Sequence, residues 1–430
     1  MRIHYHTFGC KANQYDTERM RQELEARGGT TTDERRDAHV VVVNTCTVTN
    51  QADAQARRYV RRVHRENPGA EIVVAGCSAA LRTEEYGSMD GVSAVVPGHD
   101  PVAVADGTSR ERLVQIGVRR PLDRIDSEPV GAELLRERRG ATRGWLKVQD
   151  GCDRKCSFCA TRLARGASRS RDPEEIVAEA RVLAEAHGEL VVTGIHIGHY
   201  GRDLDPRWTL GRLVSVLLER VPDVRFRLGS VEATEVDELL LDLLETSAGT
   251  LAPHLHMPLQ SGADPVLRRM RRWHTRAQYR GRALEIADRL EPMGLGADVI
   301  TGFPGETARD HEDTVRLIEE LPFTYLHVFP FSPRSGTPAA ELALESPVPE
   351  RIAGDRAREL RELAMDKGRR HRADRIGSGA RVAPEGDGTR GLTGDYLRVG
   401  IEDPDAAETA RFLEGTLRGD GDHLYIAAPR

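Results

Sequence analysis

Three times within the first hundred residues a run of strand-forming residues is followed by a cysteine, and this repetition narrows the possible folds more than any other feature. Arg2-Ile3-His4-Tyr5-His6-Thr7 alternates as a strand does and is followed by Cys10. His39 to Asn44 is a β-branched run of the kind covered on both faces in a parallel sheet, and Cys46 follows it. Glu71 to Ala75 repeats the pattern ahead of Cys77. Helical patterns at Asp16 to Ala26 and Asp53 to Glu66 separate the runs. This order builds an open parallel sheet, where ligands gather at the carboxyl ends of the strands. Any one of these cysteines alone would read as a buried core residue. Their shared position, in FGC, NTC and AGC contexts, predicts that all three converge as ligands.

Residues 1–98 read as this α/β unit. Residues 99–140, weakly patterned and carrying Pro101, Pro121 and Pro129, read as a connector. From 141 to 371 a second α/β run follows. Its strands are predicted at Trp145 to Val148, Leu190 to Thr193, Arg225 to Leu228, His254 to Met257, Leu295 to Ile300 and Thr324 to Pro330. Helices such as Pro173 to His187 and Arg276 to Leu290 lie between them. Six βα units predict a partial or complete parallel barrel with its chemistry at the strand C-termini. Residues 372–430 change character, with glycines punctuating short strands at Tyr396 to Gly400 and His423 to Ala427. They predict a small β-barrel.

The second run opens on QDGCDRKCSFC, with Cys152, Cys156 and Cys159 inside eight residues. Three thiolates fit three irons of a [4Fe–4S] cubane and leave the fourth iron open to a small ligand. Phe158 stands beside the last of them and can shield one face. Zinc is the alternative, but it needs a fourth protein ligand, and the nearest histidine in sequence is His187.

Composition sets the compartment. The start, MRIHYHTFGC, lacks the apolar stretch and cleavage site of a secretory signal, and no run is apolar enough to span a membrane. A reducing, cytoplasmic setting is expected, in which six cysteines serve as metal ligands or catalytic groups. The net charge of −6 argues against a generally basic nucleic-acid binder. Arginines nonetheless cluster at 136–139, 162–171 and 268–272, either as solvated helix faces or as phosphate contacts.

TFGCKANQYDTE, VVNTCTVT, GCSAAL and KVQDGCDRKCSFC with the following ARG resemble the radical S-adenosylmethionine (SAM) methylthiotransferases. So do VVTGIHIGHYG, FRLGSVE, HLHMPLQSGADPVLRRMRRWHT, DVITGFPGET and FPFSPRSGTPAA. The resemblance implies an N-terminal cluster domain, a radical SAM barrel of (βα)6 type and a closing RNA-binding β-barrel of the TRAM kind. It implies two [4Fe–4S] clusters. Cys152, Cys156 and Cys159 would hold the radical-generating one, and Cys10, Cys46 and Cys77 one that carries the sulfur. It implies SAM, a tRNA substrate, a flavodoxin- or ferredoxin-like electron donor and a sulfur source, with no membrane. Thr193, Gly194, Ser230, Glu232 and Gln260, with Phe158, are the expected contacts to SAM. His256 is expected to face the cavity, and Asp298 to act as a structural hydrogen bonder. The FGCK and QDGCDRKCSFC forms are most similar to the branch acting on threonylcarbamoyladenosine at position 37 of tRNA. The isopentenyladenosine branch and the ribosomal-protein branch, which usually reads GCPKN at its first cysteine, are the alternatives, and a structural metal-containing RNA-binding protein is one of another class. The run Ala160-Thr161-Arg162-Leu163 departs from the family's Pro-Tyr, and His199 stands where an acidic residue is frequent. The closing module is more acidic than basic.

Overall fold

Side-chain alternation along one valine run divides the first unit into two cores. Val41 and Val43 pack to one side of the sheet and Val40 and Val42 to the other, so helices cover both faces. The computed structural model describes residues 1–108 and 134–427. Strands β1 (Arg2–Thr7), β2 (Thr30–Thr31), β3 (Val40–Thr45), β4 (Glu71–Gly76) and β5 (Val92–Pro97) pair in parallel in the order β2-β1-β3-β4-β5. The three predicted strands form the centre of this sheet. The two edge strands were not foreseen, because two residues of β2 carry no period and β5 is only half-buried. The helix after β1 spans Lys11–Ala26 and so begins immediately after Cys10, five residues before the predicted start. Residues 101–107 of the expected connector form a helix capped by Asp100, and residues 109–133 lie outside the described residues.

The second unit contains β6 (Arg143–Lys147), the small pair β7 (Gln149–Asp150) and β8 (Arg169–Ser170), and then β9 (Glu189–Thr193), β10 (Arg225–Leu228), β11 (His254–His256), β12 (Gly294–Thr301) and β13 (Tyr325–Pro330). Two three-stranded parallel sheets, β10-β9-β6 and β11-β12-β13, meet through bridges at Phe226–Leu251 and Ser230–His256. The result is a six-stranded partial barrel, open between β6 and β13. The 11–26 helix packs against β6 at that open edge. Its Asp16 accepts from Lys147 Nζ at 2.7 Å, and the Tyr15 hydroxyl donates to Glu179 at 3.1 Å.

Helix Glu350–Asp374 packs on β13 and leads into a closed barrel. Its strands are β14 (Gly379–Glu385), β15 (Arg390–Leu392), β16 (Arg398–Ile401), β17 (Leu413–Gly419) and β18 (Leu424–Ala427), in the order β14-β15-β16-β18-β17. Two buried arginines of β10 hold this module. Arg225 donates to the Arg381 and Leu392 carbonyls, and Arg227 to those of Thr393 and Gly394, at 2.7–3.0 Å. Both guanidiniums also bind the fully buried Glu189. Among the described residues, no helix is long and apolar enough to cross a membrane.

Candidate active site

Asn13, one turn into the 11–26 helix, ties together the loops that carry the first three thiols. Its amide donates to the Phe8 and Thr45 carbonyls at 2.8 and 2.9 Å, beside Cys10 and Cys46, and its Oδ1 lies 3.8 Å from the Cys77 thiol. Gly9 makes the approach possible. Its φ is +109°, and a Cβ there would lie 2.7 Å from Cys46 Cβ and 2.8 Å from its sulfur. Cys46 and Cys77 are buried and Cys10 is exposed, which gives the group an open side. Burial and the neighbouring thiols push Cys46 up to about 12. Burial likewise pushes Cys77 up to about 11, with Arg165 opposing. Unliganded, these sulfurs are thiols, and binding iron displaces their protons. Convergent cysteines with one exposed edge fit a cluster that keeps an open position.

The second group lies on the loop after β7. Cys152 Sγ is 3.5 Å from His196 Nδ1, Cys156 Sγ is 3.7 Å from Arg272, and Cys159 accepts from the Thr161 backbone at 3.4 Å. Three thiols on one turn fit a cubane, as above. His196 complicates the zinc comparison, since the structure brings it close although it is 37 residues beyond Cys159 in sequence. Its other nitrogen is 2.8 Å from Glu235, and its ring stacks on His199 at 3.9 Å. His196, His199 and Glu235 form one set that could hold a metal ion. His256, Asp298 and His327 form another.

Arg165, six residues beyond Cys159 in sequence, reaches the first thiol group. It is completely buried, and its Nε donates to Cys77 at 3.3 Å. Its other nitrogens bind Asp150, Asp16, Asn13 and His99. Burial and the adjacent guanidinium lower His99 to about 3, so its ring is neutral and accepts from Arg165 at 2.9 Å. Arg334 approaches from the loop after β13, where it feels both Cys46 and Cys159 and binds Asn50 at 2.6 Å. Both arginines are internal, as is Arg171, which pairs with Glu179. The 162–171 cluster is therefore in good part structural rather than a solvated face or a row of phosphate contacts. Arg272 of the third cluster is likewise buried against Glu232.

The remaining sequence-predicted positions surround these loops. Phe158 packs edge-on to Phe303 at 6.5 Å. Thr193 ends β9, and a Cβ on Gly194 would meet the Gln149 carbonyl at 2.7 Å. Gln260 adopts φ +67°, unusual for a side chain of its size, and its backbone bonds to Asp298 and Ile300 of β12. Ser230 follows β10, bridges to His256 of β11 and lines the cavity there. Glu232 does not cap the short helix that it precedes; it pairs with Arg272, and burial pushes it up to about 7 against that guanidinium. His256 reaches the cavity and bonds Asp298 at 3.1 Å. Asp298 also accepts from His327, as expected of a structural hydrogen bonder. Lys11, Arg165, His196, Arg272, His327 and Arg334 were not foreseen. Arg165 and Arg272 lay in the arginine clusters noted in the sequence. Lys11, His196 and Arg334 lay within the quoted motifs, and His327 within a predicted strand, without being singled out.

Residues 2–98 match the family described as "Uncharacterized protein family UPF0004", and residues 146–318 match the radical SAM superfamily. The threonylcarbamoyladenosine tRNA methylthiotransferase MtaB of Bacillus subtilis is 38% identical over 367 residues, covering 84% of this chain and 80% of that protein. The chain belongs to the radical SAM methylthiotransferases. A second member of that name, from Thermotoga maritima, is 33% identical over 92% of this chain and 89% of its own length. The tRNA-2-methylthio-N(6)-dimethylallyladenosine synthase of Bacillus licheniformis is 30% identical over 90% of this chain and 76% of its own length. Among solved structures, the cobalamin-dependent SAM radical enzyme OxsB aligns with 85% of this methylthiotransferase at a TM-score of 0.51 and 10% identity. The chain spans 56% of that longer protein, and the likeness is one of fold.

Proposed function

We propose that this methylthiotransferase acts on tRNA, converting N6-threonylcarbamoyladenosine at position 37 into 2-methylthio-N6-threonylcarbamoyladenosine. The observation that carries this reading is a pair of three-cysteine groups, with Arg165 of the second loop bonded to Cys77 and Arg334 facing Cys46 and Cys159, in a chain 38% identical to a threonylcarbamoyladenosine tRNA methylthiotransferase. Cys152, Cys156 and Cys159 would hold one [4Fe–4S] cluster, and Cys10, Cys46 and Cys77 a second. The clusters supply, when bound, an open iron that chelates the methionine end of SAM, the electron that cleaves SAM to a 5′-deoxyadenosyl radical, and a site for the sulfur.

The protein's own residues bind, orient and exclude water. Gly194 lets the backbone come close at the end of β9, where the methionine end of SAM would sit. Ser230 and Glu232 offer acceptors to the ribose hydroxyls, with Arg272 holding the Glu232 carboxylate in place. Phe158 and the fixed backbone of Gln260 close the sides. The electron donor, of flavodoxin or ferredoxin type, and the sulfur source are partners from outside this chain, and a cytoplasmic setting fits both.

Nucleosides from total tRNA of a strain lacking the gene test the reading. Threonylcarbamoyladenosine should remain without its methylthio form, and the chain supplied on a plasmid should restore it. Normal methylthio-threonylcarbamoyladenosine in the deletion strain, or loss of the isopentenyl derivative instead, would refute the substrate.

A further inference from the structure

Inside the partial barrel lies a cavity of about 150 Å³, reached by residues of all three units. Lys11 enters it from the first unit, Ser230, His254, Tyr325 and His327 from the barrel strands and their ends, and Tyr396 from the closing β-barrel. Two of its polar groups lack protein partners. Lys11 has no hydrogen bond or ion pair among the described residues, and its recorded contact is the Trp145 ring, 5.9 Å away. His254 is 2% exposed, and its Nδ1 is unbonded while Nε2 lies 2.8 Å from the Tyr325 hydroxyl.

The cavity's surroundings are cationic. Arg143, Arg225 and Arg227 share Glu189, and Arg143 has Glu385 as a further carboxylate. Arg227 also lies over the Tyr396 ring, 5.3 Å from its centroid. Lys11 adds a further positive charge, and Glu189, the carboxylate it feels, is already shared by the three arginines. A half-buried ammonium without a direct ion pair is costly, so the cavity is built for an anion that enters it. An organic cation is a poorer match, since it would meet Lys11 and find one carboxylate, Asp298, in the lining.

We propose that this cavity receives the threonylcarbamoyl group of the substrate, with Lys11 pairing with its carboxylate and selecting this nucleoside. The inference rests on the proposed function and adds its specificity determinant. The threonyl end carries a carboxylate and a hydroxyl. The first answers Lys11, and the second suits the hydroxyls and histidine at the wall. An isopentenyl group, being pure hydrocarbon, would leave Lys11 and His254 unpaired, and a site built around buried polar groups rejects a ligand that cannot bond them.

The test uses the full-length, anaerobically reconstituted chain and two RNAs, one with threonylcarbamoyladenosine and one with plain adenosine at position 37. Their dissociation constants give a selectivity ratio, with each variant's adenosine RNA as its own reference. Lys11→Met should lower the ratio about ten-fold or more, the worth of one charge-assisted hydrogen bond. Lys11→Arg should recover part of it. A wild-type ratio in Lys11→Met overturns the inference. Should Lys11→Met bind neither RNA, Tyr325→Phe decides by the same rule: a lowered ratio supports the cavity, and a wild-type ratio overturns it. The two readings fail separately. If the wild-type chain adds no methylthio group to the modified RNA, the proposed function falls. If it does so while the deciding variant keeps full selectivity, only this inference falls.

Discussion

Gly9 and Arg165 are single residues on which the geometry of the site depends. A side chain at Gly9 would press on Cys46 and would sit at a φ that L-residues rarely adopt. Gly9→Ala should therefore disturb the first cysteine group while sparing the second, cutting iron and sulfide to about half of the roughly eight irons expected of two cubanes. Full loading would count against convergence of Cys10, Cys46 and Cys77. Arg165 holds two buried carboxylates, Asp16 and Asp150. Burial would push both up, yet Lys147 and Arg165 more than offset it and keep them ionised. Arg165→Met removes one cation from that group, and the chain should lose about 3 kcal/mol or more in chemical denaturation. A loss below about 1 kcal/mol would show that Lys147 alone suffices. The six cysteines were legible because their spacing and strand-end positions are local in sequence. The roles of Arg165, His196 and Arg334 were not, since each comes near its thiol only after distant strands pack.

At the scale of elements, buried parallel strands could be read from sequence and edges could not. Val40 to Val43 are buried on both faces and announce themselves as an apolar run, and Arg225 to Leu228 were bounded correctly. The β10 segment nevertheless conceals its task. RFRL reads as an alternating, half-solvated strand, yet both arginines are buried, holding Glu189 and the carbonyls of the closing barrel. This ionic seam makes a pH prediction. Burial alone would raise Glu189, but Arg227, Arg225 and Arg143 outweigh it and hold the folded carboxyl well below the usual range. The unfolded chain therefore binds a proton before the folded one does. The seam's contribution is present above about pH 4.5 and is lost as pH falls below that value. Denaturation profiles should show Glu189→Gln less stable than wild type at neutral pH, with the gap narrowing below about pH 4.5. A gap independent of pH would contradict the charge state assigned to Glu189.

For the whole molecule, specific polar contacts link the three units. Asn50 and Arg334 tie the first sheet to the loop after β13, Lys147 and Asp16 tie it to β6, and the seam at Glu189 ties the barrel to the closing module. Such an arrangement allows a division of labour between the cysteine groups. Cys156→Ala should abolish SAM cleavage, whereas Cys46→Ala should still release 5′-deoxyadenosine and yield no methylthio product. Equal loss of both activities in the two variants would argue against separate roles. The most direct test of the whole account is mass spectrometry of position 37 after the reconstituted chain has been incubated anaerobically with SAM, a sulfur source, reductant and tRNA bearing threonylcarbamoyladenosine. The account predicts that this nucleoside gains one methylthio group and that isopentenyladenosine tRNA remains unchanged. Modification of the isopentenyl nucleoside, or of neither, would contradict it.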